Sequence, residues 1–521
     1  MSTERPKLQG PEERKISLIR NPVSLIGAAL AATSLATIAF LFFVNFVSVR
    51  PNPYIGVLLF MVAPAFLILG LLLILLGLLL ERRRRRKGKP GVIPRFPRID
   101  LNVPAQRNAF TFFVSCAAVF VLISAMGSYR SYEFTDSVQF CGQTCHTVMQ
   151  PEYTTYLQSP HARVECVECH VGPGAGWYVH SKLSGSYQVY AAIFHKYPRP
   201  IPTPVANLRP AQQTCEQCHW PRKFYGAQLK VFYHYGDDEK NTPRQIRMLI
   251  NTGGAQPNTG LPAGIHWHMN IENRITYIAT DAQHQVIPWV QSRDMQGRTA
   301  VYMAKDSSLT PEQIGKATKH LMDCIDCHDR PSHIFTPPDR SVDDSLLAGR
   351  IDRSLPFIKQ QGVLALTKSY NTTDEALRGI AADIQRFYST KYADVYASRG
   401  TPIQAAIADL QHIYQSTIFP YMKVDWRTHP NNIGHFYTPG CFRCHDGQHV
   451  SSDGKVIPKD CNTCHTVQAQ LESGTPLIRH EEGIPFKHPV DIGDNPGDLQ
   501  RLPHWRGRAV AAARRFQSFV Y

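Results

Sequence analysis

The chain has 521 residues, enough for several domains, and a formal net charge of +15 at pH 7. Residues 1 to 109 hold 16 Lys/Arg and 5 Asp/Glu, which leaves a net charge of only +4 for the other 412 residues. A nucleic-acid-binding protein needs a basic face, so the composition excludes nucleic acid as a partner.

Three apolar stretches near the N-terminus are predicted membrane helices. They are Val23 to Val49, Tyr54 to Leu80 and the shorter Ala109 to Met126. Crossing the hydrocarbon core of a bilayer takes about 20 helical residues. The first stretch is too long for the apolar core of a cleavable signal peptide, so it is predicted to remain a helix. The sequence therefore predicts a three-helix anchor over 23–126, after a cytoplasmic N-terminus over 1–22.

The run from Arg82 to Lys87 predicts the orientation of these spans. Loops rich in Lys and Arg stay on the cytoplasmic side, and the loop between the first two spans holds only Arg50. The loop over 81–108 is therefore predicted to be cytoplasmic, and everything after Met126 to be periplasmic. The predicted location is a bacterial inner membrane, with the lipid bilayer as a partner.

Ten of the 13 cysteines fall into five Cys-x-x-Cys-His motifs. In c-type cytochromes the two thiols bind haem covalently and the adjacent His ligates the iron. A zinc site or a disulfide framework would not require a His directly after each cysteine pair. The motifs predict covalent haem at Cys166/Cys169/His170, Cys215/Cys218/His219, Cys324/Cys327/His328, Cys441/Cys444/His445 and Cys461/Cys464/His465.

A near-miss, "FCGQTCHTVMQ", precedes these five motifs. Its cysteines, Cys141 and Cys145, are one residue too far apart. Haem attachment fixes only the two sulfurs and the adjacent His146, so the three residues between the cysteines are predicted to bulge. This raises the predicted haem count to six. Met149 is either the second axial ligand here or packs on the porphyrin edge.

Every six-coordinate iron needs a second axial ligand, and the histidines outside the motifs outnumber the irons. The best candidates lie close to a motif in sequence. Two more stand at alternate positions in "GIHWHM" and would face one side of an extended segment. The candidate distal ligands are His161, His266, His268, His320, His333, His435 and His449.

The periplasmic part is predicted to be mainly α-helical, with haems forming the core where motifs are dense. Residues 127–225 hold the first three motifs, 311–342 the fourth, and 426–521 the last two with a tail. Residues 226–310 carry no motif and contain the strand-like stretches "RITYIAT" and "TAVYMA", which predict a small β module. Residues 343–425 predict a helix after the capping sequence "TTDE" and a second one starting at Thr401-Pro402.

The first part of the periplasmic region resembles a known family. A membrane anchor, the 141–149 segment, "SPHARVECVECH" and Lys182 twelve residues after His170 resemble the NapC/NirT family of quinol-oxidising cytochromes over about residues 109 to 220. The later "CIDCHDRPSHIF" and "NNIGHFYTPGCFRCHDGQHV" extend the likeness, to larger inner-membrane multihaem cytochromes, over most of the chain. The resemblance implies a first haem at the membrane surface, beside a quinol site that Lys182 lines. Where an Asp is expected seven residues further on, this chain has Val189, with Gln188 beside it as a tentative site residue.

These features predict a hexahaem cytochrome c that oxidises menaquinol or ubiquinol from the membrane pool. It would pass electrons to a periplasmic cytochrome or reductase in anaerobic respiration, with extracellular acceptors as one destination. In enzyme terms this is an electron-transfer quinol dehydrogenase. The alternative is a haem wire that relays electrons from a partner quinol oxidase to a dedicated reductase. A terminal reductase is disfavoured, because all six motifs end in His.

Overall fold

A computed structural model describes residues 21–47, 63–87, 100–144, 146–172, 174–203, 205, 208–220, 224, 226–253, 264–269, 273–472, 480 and 482–486. The described chain is roughly half helical, with small β-sheets. It divides into two compact units. One comprises residues 1–135 with 171–187, and the other comprises 136–170 with 188–521.

The first unit contains two packed apolar helices, α1 (Pro22–Val47) and α2 (Ala63–Arg86). Small residues allow their backbones to approach closely, as is common between membrane helices. A Cβ atom added to Gly70 would lie 2.7 Å from the backbone nitrogen of Ala31. The Ser24 hydroxyl donates across the pair to the carbonyl of Ile74 at 3.2 Å.

Two helices in the described residues, not the three expected, qualify as membrane spans by length and hydropathy. They are Pro22–Leu41 and Ala63–Arg84. The expected third span, Ala109 to Met126, lies on α3 (Pro104–Asp136), a helix of 33 residues. The side chains at 116–125 lie outside the described part, so this span does not count among those found.

Short helices carry or follow the first three motifs. They are α4 (His146–Leu157), α5 (Cys166–His170), α6 (Ala175–Ile193) and α7 (Ala211–Cys215). Most of the haem-attachment turns therefore lie on or beside pieces of helix that are too short to form a core of their own.

The strands of the second unit form two antiparallel sheets in the described residues. The first has the order β1-β2-β8, and the second β6-β3-β4-β5-β7. Strands β7 and β8 come from the last segment of the chain, so the segment over 226–310 completes its sheets with strands from the motif-rich regions. The strands are β1 (Gln228–Tyr235), β2 (Pro243–Ile250), β3 (Asn273–Ile278), β4 (Trp289–Asp294), β5 (Thr299–Ala304), β6 (His320–Leu321), β7 (His449–Ser451) and β8 (His465–Glu472).

The apolar core of the second unit lies in a helical segment. Its largest cluster includes Ile380, Ile384 and Tyr388 on one helix and Ile403 and Leu410 on another, all almost fully buried. The helices here are α8 (Pro311–Lys316), α9 (Pro338–Leu347), α10 (Ile358–Thr367), α11 (Thr373–Lys391), α12 (Ala393–Ser398) and α13 (Gly400–Thr417).

The predicted strands and the first predicted helix are confirmed. "RITYIAT" overlaps β3 and "TAVYMA" is β5, while Thr372 caps α11 by accepting from the Glu375 amide. The predicted start of the second helix is wrong by a few residues. Helix α13 begins at Gly400 with Arg399 as its cap, because α12 leads directly into it. Pro402 is tolerated there because the first amides of a helix have no intrahelical acceptor.

Candidate haem-binding sites

The regular motifs fold as single tight turns. In the fourth motif the amides of Cys327 and His328 both donate to the carbonyl of Cys324, at 3.4 and 2.9 Å. The third and fifth motifs show the same pair of bonds to their first cysteine. Such a turn presents two thiols and one imidazole from five consecutive residues, which is the donor set that haem c requires.

The first, irregular motif lies in a wider turn. Phe140–Thr144 is π-helical, and one extra residue per turn accommodates the additional position between Cys141 and Cys145. Gly142 lies directly against the ring of Tyr153, where a Cβ atom would come within 2.2 Å of a ring carbon. Tyr153 also accepts a hydrogen bond from Gln143 at 3.0 Å. Cys145 and the His146 side chain lie outside the described part.

Each of the other five motif histidines faces a second histidine from elsewhere in the chain. The ring centroids lie 5.8 to 6.4 Å apart. Two imidazoles bound to one iron at about 2 Å per bond have centroids about 6 Å apart, so the pairs fit haem c. The pairs are His170 with His333, His219 with His161, His328 with His266, His445 with His268, and His465 with His435.

Hydrogen bonds at Nδ1 orient several of these rings. The Nδ1 atoms of His266, His268 and His333 donate to backbone carbonyls at 2.6, 2.8 and 2.8 Å. This leaves Nε2 with its lone pair for a metal. Burial lowers the pKa of His268 and His333, the latter to about 4, and so favours the neutral form that binds iron.

His266 and His268 serve two different motifs. The sequence predicts an extended segment with both rings on one side. The segment Ile265–Met269 is instead a 3-10 helix, and its two imidazoles point to the fourth and fifth motif histidines. The expectation of an extended segment is therefore corrected.

His320 and His449 are not brought opposite a motif histidine in the described residues, and both leave the set of candidate ligands. The two ring nitrogens of His449 lie 2.9 Å from Asp446 Oδ1 and 2.7 Å from the Ile287 carbonyl. The ring of His320 packs on His284 and Tyr277. Met149 is half-buried on α4, and its role beside the first motif stays a prediction.

His429 is a buried imidazole that the motif-based reasoning missed. It is 8% exposed, and neither ring nitrogen has a hydrogen-bond partner. Its ring lies 6.2 Å from that of Phe335, and burial lowers its pKa to about 4. It stands far from any motif in sequence, so only its burial distinguishes it.

The attachment thiols of consecutive motifs lie close together, in motif order. Sulfur hydrogen bonds join motif 1 to 2, motif 3 to 4 and motif 5 to 6. Electrostatic interactions between thiols join motif 2 to 3 and motif 4 to 5. The hydrogen-bonded pairs are Cys141 with Cys166, Cys215 with Cys324, and Cys441 with Cys464. The electrostatic pairs are Cys169 with Cys215 and Cys218, and Cys327 with Cys441 and Cys444.

The two tentative quinol-site residues both lie on α6. The Lys182 ammonium stands over the ring of Tyr178, 5.2 Å from its centroid. Gln188 is exposed further along the same helix, and Val189 beside it is 47% exposed.

Comparison with known proteins brings these features together. Residues 103–200 match the N-terminal region of the NapC/NirT cytochrome c family. The chain is also 47% identical over 474 residues to the cytochrome c-type protein ImcH of Geobacter sulfurreducens, covering 91% of this chain and 92% of that protein. The chain belongs to the NapC/NirT cytochrome c family. No solved structure matches it. As a NapC/NirT cytochrome it carries covalent haem c and takes part in electron transfer at a membrane.

Proposed function

We propose that this NapC/NirT cytochrome is an inner-membrane hexahaem protein that oxidises menaquinol or ubiquinol and delivers the electrons to a periplasmic acceptor. The observation that carries the proposal is the row of attachment thiols in motif order. When bound, haem c supplies irons that take up and release one electron at a time. A row of such groups suits a quinol, which gives up two electrons.

The facing imidazoles support electron carriage over terminal reduction. With an imidazole on each side, an iron has no open position at which an oxyanion could bind. Five motif histidines have such a partner, which leaves the first motif as the one where a different coordination is expected. That motif is our proposed point of electron input.

The quinol end of the proposal rests on family likeness and on Lys182. In the NapC/NirT pattern a lysine at this position lines the quinol site, and an ammonium group suits a quinol oxygen as a charged hydrogen-bond donor. The chain has Val189 where a proton-accepting Asp is expected, so Gln188 takes a polar, non-ionising place there.

The periplasmic location of the haem motifs requires a third membrane crossing. The Arg82–Lys87 run follows α2, so a chain with two spans would leave the motifs on the cytoplasmic side. We therefore assign the third crossing to α3. Alkaline phosphatase fused after residue 137 should be active and the same enzyme fused at residue 95 inactive. Equal activity of the two fusions would contradict this topology.

The direct test of quinol oxidation is anaerobic mixing of the oxidised protein with a quinol analogue, followed at the haem α-band. We expect rapid reduction, and slowing by roughly tenfold or more in Lys182→Ala, because a charged hydrogen bond is lost. Lys196→Ala is the matched control, since Lys196 also stands over a tyrosine ring, at 5.4 Å from the centroid.

Two outcomes would count against the proposal. If reduction is no faster than in a fragment lacking residues 1 to 126, the protein does not oxidise quinol. Co-purification of a quinol-oxidising partner, with no reduction in its absence, would instead favour a haem wire. An unchanged rate in Lys182→Ala would remove only that residue's role.

A further inference from the structure

A buried ion pair lies beside one of the facing imidazoles. Arg330 Nη2 lies 3.2 Å from Glu152 Oε1, and their side chains are 12% and 11% exposed. Arg330 follows the fourth motif by two residues, whereas Glu152 lies on α4 just after the first motif. The pair therefore joins two motif-bearing segments that are 178 residues apart in sequence.

The same two residues hold His333 in place. The Glu152 backbone carbonyl accepts a hydrogen bond from His333 Nδ1 at 2.8 Å, and Arg330 Nε donates to the His333 carbonyl at 3.0 Å. Arg330 Nη1 also donates to Thr203 Oγ1 at 3.0 Å, and the guanidinium stacks over Phe335. A planar guanidinium can make these contacts simultaneously, whereas an ammonium group cannot.

Glu152 depends on Arg330 for charge compensation. Its second carboxylate oxygen, Oε2, is buried without a hydrogen-bond partner. Burial raises the pKa of Glu152, which shows that its surroundings disfavour the charged form. Such a pair is a costly way to gain stability alone, because desolvation offsets much of the attraction.

We propose that Arg330 and Glu152 are positioning residues that fix the orientation of His333 opposite His170. The Glu152 carbonyl selects the tautomer with the proton on Nδ1, and Arg330 fixes the backbone that carries the ring. Groups that orient a metal-bound histidine tune the metal as well as its affinity. This inference rests on the proposed function, since it takes His333 as the distal ligand of the second haem.

The test uses the full-length, haem-loaded protein in detergent, with its electron paramagnetic resonance (EPR) spectrum and a potentiometric titration as readouts. In Glu152→Gln, which keeps the side chain's size and one acceptor oxygen, we expect one of the low-spin signals and one midpoint potential to shift. The other haems should be unchanged. Arg330→Lys should shift the same signal less than Arg330→Met, because it restores the charge without the fork of donors. Arg298→Met, which breaks the exposed pair with Asp294, is the matched control and should shift nothing.

A double variant separates positioning from charge compensation. Arg330→Met with Glu152→Met leaves no unpaired buried charge, so it should load haem better than Arg330→Met alone. If the double variant or Glu152→Gln gives an unchanged spectrum, the pair only compensates its own charge and the proposal is overturned.

His333→Met distinguishes this proposal from the assignment on which it rests. If that variant leaves every haem signal unchanged, His333 is not an iron ligand and the ligand assignment itself fails. If it alters one signal while the Glu152 and Arg330 variants alter none, the assignment stands and the positioning role fails.

Discussion

Single residues determine which imidazoles meet. The motif histidines are predictable from the sequence, because covalent haem attachment leaves a local pattern of three residue types. Their partners are not, since His161 lies next to the second motif in sequence but faces His219 of the third. Proximity in sequence also suggested His449, whose ring nitrogens are both engaged by other groups.

The ring angles predict distinguishable spectra for neighbouring haems. The rings of His266 and His328 are nearly parallel, at 3°, whereas those of His268 and His445 stand at 83°. Parallel imidazoles split the iron π orbitals more than perpendicular ones do. His266→Met should therefore deplete a rhombic low-spin EPR signal, and His268→Met a signal with a large maximal g value. Each variant serves as the control for the other, and depletion of one and the same signal by both would contradict the pairing.

Gly142 supports the irregular first motif. A Cβ atom at this position would collide with the Tyr153 ring, so Gly142→Ala should distort the π-helical turn and reduce covalent haem from six toward five per chain. Mass spectrometry of the intact chain measures the count. Gly315→Ala, which adds a methyl group in open space on α8, should retain all the haems. Full loading of Gly142→Ala would show that the turn tolerates the clash.

At the scale of elements, local signals predicted helices well and sheets less well. Thr372 and the apolar residues of α11 are close in sequence, so capping and periodicity are both visible there. The partners of β2 and β5 are β8 and β7, which lie about 200 and 150 residues further along the chain. Such pairing is a property of the assembled unit, and no local pattern specifies it.

A buried ion pair links the helical segment to β1. Lys359 Nζ lies 2.6 Å from Asp343 Oδ1, with both side chains less than 5% exposed, and Asp343 Oδ1 also accepts from the Tyr235 amide at 3.1 Å. Lys359→Met should lower the free energy of local unfolding by about 3–5 kcal/mol, because the buried carboxylate loses its partner. Hydrogen exchange at α9 and α10 measures this free energy.

The control for this prediction is Lys368→Met, which breaks an exposed pair with Asp383 and should cost less than about 1 kcal/mol. Lys359→Met combined with Asp343→Leu should recover part of the loss, because no unpaired charge remains. Equal exchange in Lys359→Met and Lys368→Met would show that burial does not strengthen the first pair.

At the scale of the whole molecule, the sequence predicted the number of haem sites but not their arrangement. Five regular motifs and one irregular motif can be counted directly, whereas the thiol contacts that connect them in order arise only when distant segments fold together. The row of motifs and the shared strands explain why segments without haem are interleaved with segments that carry it.

The central claim is that six covalent haems are held in one row beginning at the irregular motif. Intact-mass measurement of the purified, denatured chain tests it most directly, because covalent haem survives unfolding. The account predicts the mass of the polypeptide plus six haems. A mass with five haems, and unmodified Cys141 in the peptide map, would contradict the claim and leave the row without its proposed point of electron input.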